Sequence, residues 1–315
     1  MQIISTILPI FFIIFIGWLI KKRKFMPYEF LGPANRIVYY IAIPAMIFSA
    51  VSKASFHEEF DIKILFISFM SLFVVAASGW ILTAFSMMPR KMKGTFIQSS
   101  FHGNFGYIGL AVAFYYLGAS GFANASIFAG FIMILQNILA VAVLQANSGN
   151  ENEVVHFHGK IRRDVVKANI NAIITHPIIL SAVAGMIFSL SEVSLPIIVD
   201  RTLSILSGMA LPLALLLIGA SISFQVIRNY LVQIIEVSFL KLVVMPGIGV
   251  LLFNLFSIPS SEYLPAFILL GSPTATMVYV MAKEMDGDPD FAVAALSACT
   301  MLSAISFTIW LNILS

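Results

Sequence analysis

Ten apolar runs follow one another along this chain, at 3–20, 34–51, 62–86, 95–117, 122–146, 170–190, 196–223, 229–256, 263–282 and 291–314. A membrane span needs about 20 mostly apolar residues, and inside hydrocarbon every backbone N–H and C=O must be satisfied within the protein. The expected fold is therefore an all-α membrane protein of ten transmembrane helices. Composition supports this: 60% of the residues are hydrophobic and 10% charged, whereas soluble chains carry about 25% charged residues. The third and eighth runs are long, which suggests tilt or overhang. The basic cluster Lys21-Lys22-Arg23-Lys24 follows the first run instead of preceding it, so that run reads as a retained span and not as a leader. A single cysteine, Cys299, rules out an intrachain disulfide.

Lysine and arginine set the orientation. Of the 18 basic residues, 14 lie on one set of loops and adjoining span ends, three (Lys53, Lys63, Arg201) lie on the other, and Lys241 sits inside the eighth run. The 14-rich side is expected to be cytoplasmic, with both termini outside.

An internal repeat is written in glycine and proline. At an offset of 168 residues Pro9 falls on Pro177, Gly17 on Gly185, Pro44 on Pro212, Gly79 on Gly247 and Gly103 on Gly271. These residues set kinks and close backbone contacts, so they persist in a repeat after other side chains drift. Each copy holds five spans, an odd number, so the second enters the membrane inverted, as in many secondary transporters. The expected organisation is a first repeat at 1–146, a polar cytoplasmic connector at 147–169 and a second, inverted repeat at 170–315.

Two spans are interrupted. Gly103-Asn104-Phe105-Gly106-Tyr107-Ile108-Gly109 lies in the fourth and Gly271-Ser272-Pro273-Thr274-Ala275-Thr276 in the ninth. Each glycine costs about 1 kcal/mol of helix stability relative to alanine, and a break at membrane depth survives only inside protein or beside a wet cavity. The repeat register superposes the two, so broken helices 4 and 9 are expected to cross near mid-membrane. Interrupted spans in matching positions point to a carrier's binding site. Half-helix N-termini there suit an anion, and half-helix C-termini a cation.

Around these residues the chain resembles the auxin efflux carrier family, which includes the plant PIN-FORMED carriers and bacterial relatives linked to dicarboxylate transport. Ser272-Pro273, Val280-Met281-Ala282-Lys283-Glu284-Met285 and Pro289-Asp290 are similar to the family's ninth span and following turn, Gly103-Asn104 to its fourth-span motif, and Pro44 in Ala42–Phe48 to its second span. The resemblance covers the whole chain. It implies two inverted five-span halves, a scaffold domain beside a transport domain with crossed helices 4 and 9, elevator-type movement, and small organic anions as substrates. This chain has Ala111 and Val278 where family members carry prolines, so its breaks rest on glycine and Pro273.

The candidate substrate-binding residues are Gly103, Asn104, Gly106, Tyr107, Ser272, Pro273, Thr274, Thr276 and Ser49. The Asn104 amide can donate to a carboxylate, or it can cap the second half-helix. The hydroxyls beside Pro273 either line the site or replace lost backbone bonds. Tyr107 and Tyr279 flank the breaks, where packing is the commoner role for an aromatic ring. His102 is a candidate proton relay, since histidine titrates near neutrality; hydrogen bonding within the bundle is its blander role. Gln136, Asn137 and Ser49 read first as interhelical hydrogen-bonding residues. For Lys241, snorkelling or lining an aqueous path is the favoured reading.

The expected function is a secondary transporter of a small organic anion, a mono- or dicarboxylate of auxin-like or malonate-like type, in a bacterial inner membrane. The alternative is a sodium-coupled symporter of the bile acid symporter type. Membrane lipid surrounds such a protein, and a homodimer through the scaffold helices is the candidate assembly. The sequence offers no motif for a cofactor, a metal site, a nucleic-acid surface or a hydrolytic catalytic set, and Asp286-Gly287-Asp288-Pro289-Asp290 lacks calcium-loop spacing. An enzyme is therefore not expected.

Overall fold

The computed structural model describes residues 2–53, 61–147, 176–191, 193 and 195–314. Its regular structure is helical apart from one isolated β-bridge. Among the described residues, seven helical stretches are long and apolar enough to cross a membrane: Ile3–Lys22, Glu29–Val51, Ile62–Ala84, Phe105–Ala146, Ile197–Ser221, Phe224–Leu255 and Pro289–Leu314. The other expected spans occur as shorter pieces, for local reasons.

The first stretch is α1 (Gln2–Lys22). The second begins at Tyr28, earlier than its apolar run, because Pro27 precedes its first turn; it comprises α2 (Tyr28–Ile37), a π turn (Val38–Ala42) and α3 (Ile43–Val51). That π turn sits just before Pro44. Proline lacks an N–H and crowds the carbonyl four residues back, and a wider turn relieves this. α4 (Ile62–Ala84) opens on Asp61, whose carboxylate accepts from the Lys63 N–H at 2.7 Å.

The expected span 95–117 is divided. α5 (Arg90–Phe101) ends before the glycine cluster, a π turn covers Phe105–Gly109, and α6 (Leu110–Ala146) follows. Runs four and five are thus joined through a single bend at Gly118 (φ 74°, ψ −164°), with no separate loop; a side chain there would be strained. α7 (Pro177–Leu190) has 14 residues and opens on Pro177 after an extended His176; residues 170–175 lie outside the described residues, as does nearly all of the expected connector. α8 (Ile197–Gly208) and α9 (Ala210–Ser221) bend at Met209 ahead of Pro212. The eighth stretch runs through α10 (Phe224–Ile227), α11 (Leu231–Phe239), a third π turn (Leu240–Val244) and α12 (Met245–Leu255), with a proline, Pro246, after the turn as in the second stretch. The ninth is split into α13 (Ser260–Leu270) and α14 (Met277–Glu284), and α15 (Pro289–Leu314) closes the chain.

Lipid is as apolar as leucine, so spans associate through close packing of small residues more than through a hydrophobic drive. The seam between α1 and α9 follows this rule. A Cβ on Gly17 would stand 2.1 Å from the Leu216 carbonyl oxygen, and one on Gly219 would stand 1.8 Å from that of Ile14. α7 meets α3 in a similar way, with a Cβ on Gly185 falling 2.9 Å from Val51 Cβ. Outward faces carry bare apolar side chains such as Phe12, Ile198, Ile205, Leu251 and Ile313.

Two exposed ion pairs tie loop ends together. Lys53 meets Asp200 at 2.5 Å, and Lys91 pairs with Asp286 beside the turn whose Asp288 carboxylate accepts from the Phe291 N–H at 2.9 Å. Exposed pairs contribute little, so Lys91→Ala is expected to change unfolding free energy by less than about 1 kcal/mol, as read from a thermal melt.

Candidate functional site

Buried polar residues His102, Asn104, Ser272 and Thr274 stand where the chain leaves helix at His102–Asn104 and again at Gly271–Thr276. The two segments pair through their main chains. Gly103 and Thr274 form an antiparallel bridge, the Asn104 N–H donates to the Pro273 carbonyl at 2.7 Å, and the Ala275 N–H donates to the His102 carbonyl at 2.9 Å. Backbone groups freed by two breaks thus satisfy each other, as the absence of water demands. Glycine at 103 makes the approach possible: a Cβ there would fall 2.3 Å from the Phe105 ring and 2.7 Å from Ser272 Oγ.

Side chains complete the joint. Gln136, on α6, accepts from the Gly103 N–H through Oε1 at 3.1 Å and donates to the Gly103 carbonyl through Nε2 at 3.4 Å. Its one amide thus meets both backbone groups of that residue, whose carbonyl also accepts from the Phe105 N–H at 3.0 Å. Thr274 Oγ1 donates to the Ser99 carbonyl at 2.9 Å, and Ser272 Oγ to the Leu269 carbonyl at 2.6 Å. Both hydroxyls are fully buried and directed at backbone. Thr276 is half-buried and starts α14, with its carbonyl accepting from the Tyr279 N–H at 3.2 Å. Pro273 contributes its carbonyl.

Asn104 differs from its neighbours. Its backbone carbonyl accepts from the N–H groups of Ile108 and Gly109 at 3.2 and 3.0 Å, so the main chain caps the π turn. Its side chain makes no capping bond. The residue is 5% exposed, and Nδ2 has no hydrogen-bond partner. Native structures seldom bury an amide donor unpaired.

Tyr107 points its hydroxyl to Asn35 Oδ1 of α2 at 3.2 Å. Beside it, Tyr39 Oη and His176 Nε2 stand 2.8 Å apart, and His176 Nδ1 is buried without a partner. Gly106 lets Ile178 approach, since a Cβ would fall 2.8 Å from Ile178 Cδ1. His102 is buried, with Nδ1 3.4 Å from Gln98 Nε2. Ser49 lies half-buried on α3, its carbonyl accepting from Ser52 Oγ at 3.3 Å, and no bond joins it to the break.

Lys241 requires a correction. Snorkelling needs a head group that reaches the interface, but this lysine is 0% exposed; its Nζ donates to the Leu270 carbonyl at 2.9 Å and lies 3.4 Å from Met245 Sδ. An amino group therefore sits at the end of α13, one residue before the break. Neither described ion pair includes it. No group of three or more His, Cys, Asp or Glu that could hold a metal ion occurs among the described residues.

Sequence reasoning brought the break residues together and missed Asn35, Tyr39 and His176, which nothing local marks. It named Lys241 but gave it another role, and it read Gln136 first as an interhelical hydrogen-bonding residue, which its two bonds to Gly103 match. A groove lined by Met46, Phe114, Tyr115, Ser204, Ser207 and Leu211 runs between α3, α6, α8 and α9.

A multi-pass helical protein with buried polar residues at two chain interruptions that pair with each other has the build of a membrane transporter. The chain matches the membrane transport protein family over residues 2–311 and belongs to that auxin efflux carrier-like family. It is 26% identical to a Rhizobium meliloti (strain 1021) protein named "Putative malonate transporter", over 313 residues that cover 98% of this chain and 94% of that one. It is 22% identical to an "Uncharacterized transporter" of Methanothermobacter thermautotrophicus (strain Delta H), covering 97% and 96% of the two chains. A transporter of Methanocaldococcus jannaschii, also named as uncharacterized, is 24% identical, with 97% of each chain covered.

Proposed function

We propose that this protein is a secondary carrier of a small organic anion, held where segments 102–109 and 271–276 cross. The observation that carries the reading is Asn104 Nδ2, a buried donor left open at the joint of the two segments. A carboxylate is the natural acceptor for it, because charge-assisted hydrogen bonds are the strong ones. The buried Lys241 ammonium at Leu270 adds positive potential nearby, and a relative is named for malonate. A mono- or dicarboxylate is the substrate class.

The architecture in this reading is two inverted five-span repeats, 1–146 and 170–315, joined by 147–169. Under the 168-residue offset the seam of Gly17 with Gly219 maps onto that of Gly185 with Val51. The α1–α9 and α7–α3 packings described above therefore support the repeat. One bundle, α1 to α3 with α7 to α9, is the scaffold. The remaining helices carry the crossing past it, in an elevator-type movement, and the groove between α3, α6, α8 and α9 is the outward approach. Lys53 with Asp200 would lie outside and Lys91 with Asp286 in the cytoplasm, with both termini outside a bacterial inner membrane. A scaffold-mediated homodimer is the assembly to test by mass in detergent.

Malonate, or another small mono- or dicarboxylate, is expected to raise the melting temperature of the purified protein, since a ligand of the folded state stabilises it by mass action. Proteoliposomes with and without a sodium gradient should take up that anion at equal rates. Uptake that stops without sodium would favour a sodium-coupled symporter of the bile acid symporter type, and no shift with any such anion would overturn the substrate class.

A further inference from the structure

We propose that the Lys241 ammonium occupies, as a tethered side chain, the place a free monovalent cation would take at the end of α13, so that this carrier needs no bound alkali cation. The inference rests on the carrier reading above and deepens its account of coupling.

The last carbonyls of a helix lack intrahelical partners and form its negative end. In carriers with broken spans, half-helix C-termini and unwound carbonyls are where coupling cations are held. At the end of α13 three of the last four carbonyls are engaged. Phe267 accepts from the Gly271 N–H at 2.8 Å, Leu269 from the Ser272 N–H at 3.1 Å and from Ser272 Oγ, and Leu270 from Lys241 Nζ at 2.9 Å.

The other break shows that a charge is not required for hydrogen bonding. There the Gly103 carbonyl is served by the neutral amide of Gln136, and the His102 carbonyl by the Ala275 N–H. A glutamine could likewise serve Leu270. An ammonium fully removed from solvent, with no carboxylate in either described ion pair assigned to it, is costly unless its charge is used. The remaining neighbours also disfavour a free cation: Met245 Sδ lies at 3.4 Å and the Cys299 thiol is within electrostatic reach. Sulfur is a soft ligand, whereas hard cations take oxygen. The Lys241 head group therefore stands one residue from the break, on the same segment that pairs with Asn104.

The test is thermal unfolding of the purified protein in sodium, potassium and choline chloride at equal ionic strength, without any organic anion. It thus reads cation binding whether or not the substrate class is right. Wild type is expected to melt within about 1 °C in all three salts, as is Lys241→Arg. In Lys241→Gln the charge is gone and the place is open, so sodium or potassium should raise the melting point by about 3 °C or more over choline. A sodium- or potassium-specific rise in wild type overturns the assignment, as does a folded Lys241→Gln that responds to neither ion. If Lys241→Gln folds in no salt, the decision passes to the other two proteins: equal melts in all salts for both support the assignment, and a cation-specific rise in either overturns it. Failure of every carboxylate to bind would sink the substrate reading and leave these outcomes intact.

Discussion

Asn104→Ala is expected to weaken anion binding by roughly 10- to 100-fold while shifting the melting temperature of the ligand-free protein by less than about 2 °C. The two halves of that expectation come from one fact. Removing a hydrogen bond to a charged group costs about 1.5–3 kcal/mol, and the amide donor at Asn104 is free to make one with a carboxylate. The same donor bonds to nothing in the protein, so its loss strands no partner, and the main-chain carbonyl that caps the π turn stays in place. A structural asparagine would behave in the opposite way, with the melt falling and affinity following it. Titration calorimetry or anion-induced thermal shift on the variant decides the matter. Undiminished affinity with an intact fold would remove Asn104 from the site.

The second large effect is on stability. Gly219→Ala places a methyl group 1.8 Å from the Ile14 carbonyl oxygen, and Gly17→Ala places one 2.1 Å from that of Leu216. Both clashes are with main chain, so no side-chain rotation relieves them and the helices must move apart. Overpacking of this kind costs about 1–3 kcal/mol and occasionally more, and each variant is expected to melt at least about 5 °C below wild type. Gly32→Ala serves as the control. Nothing lies within 4 Å of its added methyl, and in the interior of α2 alanine should gain about 0.5–1 kcal/mol. Equal melts for Gly219→Ala and Gly32→Ala would show that α1 and α9 do not meet at this distance in the membrane.

The sequence shows the helical, membrane-spanning class directly, because runs of apolar residues report on the solvent around the chain. It also marks where helices stop. Gly103 and Gly271 weaken their spans, Pro273 removes a donor, and α5 and α13 end within two residues of the glycines. Other features were hidden for reasons of distance. Tyr39 and His176 are 137 positions apart and Tyr107 and Asn35 are 72 apart, so no local pattern pairs them. Lys241 is legible as a charge in an apolar run. Its partner is a carbonyl 29 residues away, and a carbonyl has no signature in the amino-acid alphabet. Gln136 is legible as an interhelical hydrogen-bonding residue, but its partner is hidden on the same ground, since both its bonds go to the main chain of Gly103. The start of the second stretch was misplaced because Glu29, Asn35 and Arg36 break its apolar pattern while the helix continues through them.

The joint at Gly103 and Thr274 has a consequence for how such a protein can diversify. The bonds that bridge the two segments run from peptide unit to peptide unit, and every residue carries a peptide carbonyl and every residue but proline a peptide N–H. Apart from the glycine that permits contact, mutation can rewrite the neighbouring residues without cutting the fastening. New solutes can then be accommodated by altering the lining, while the clasp beneath it is inherited unchanged.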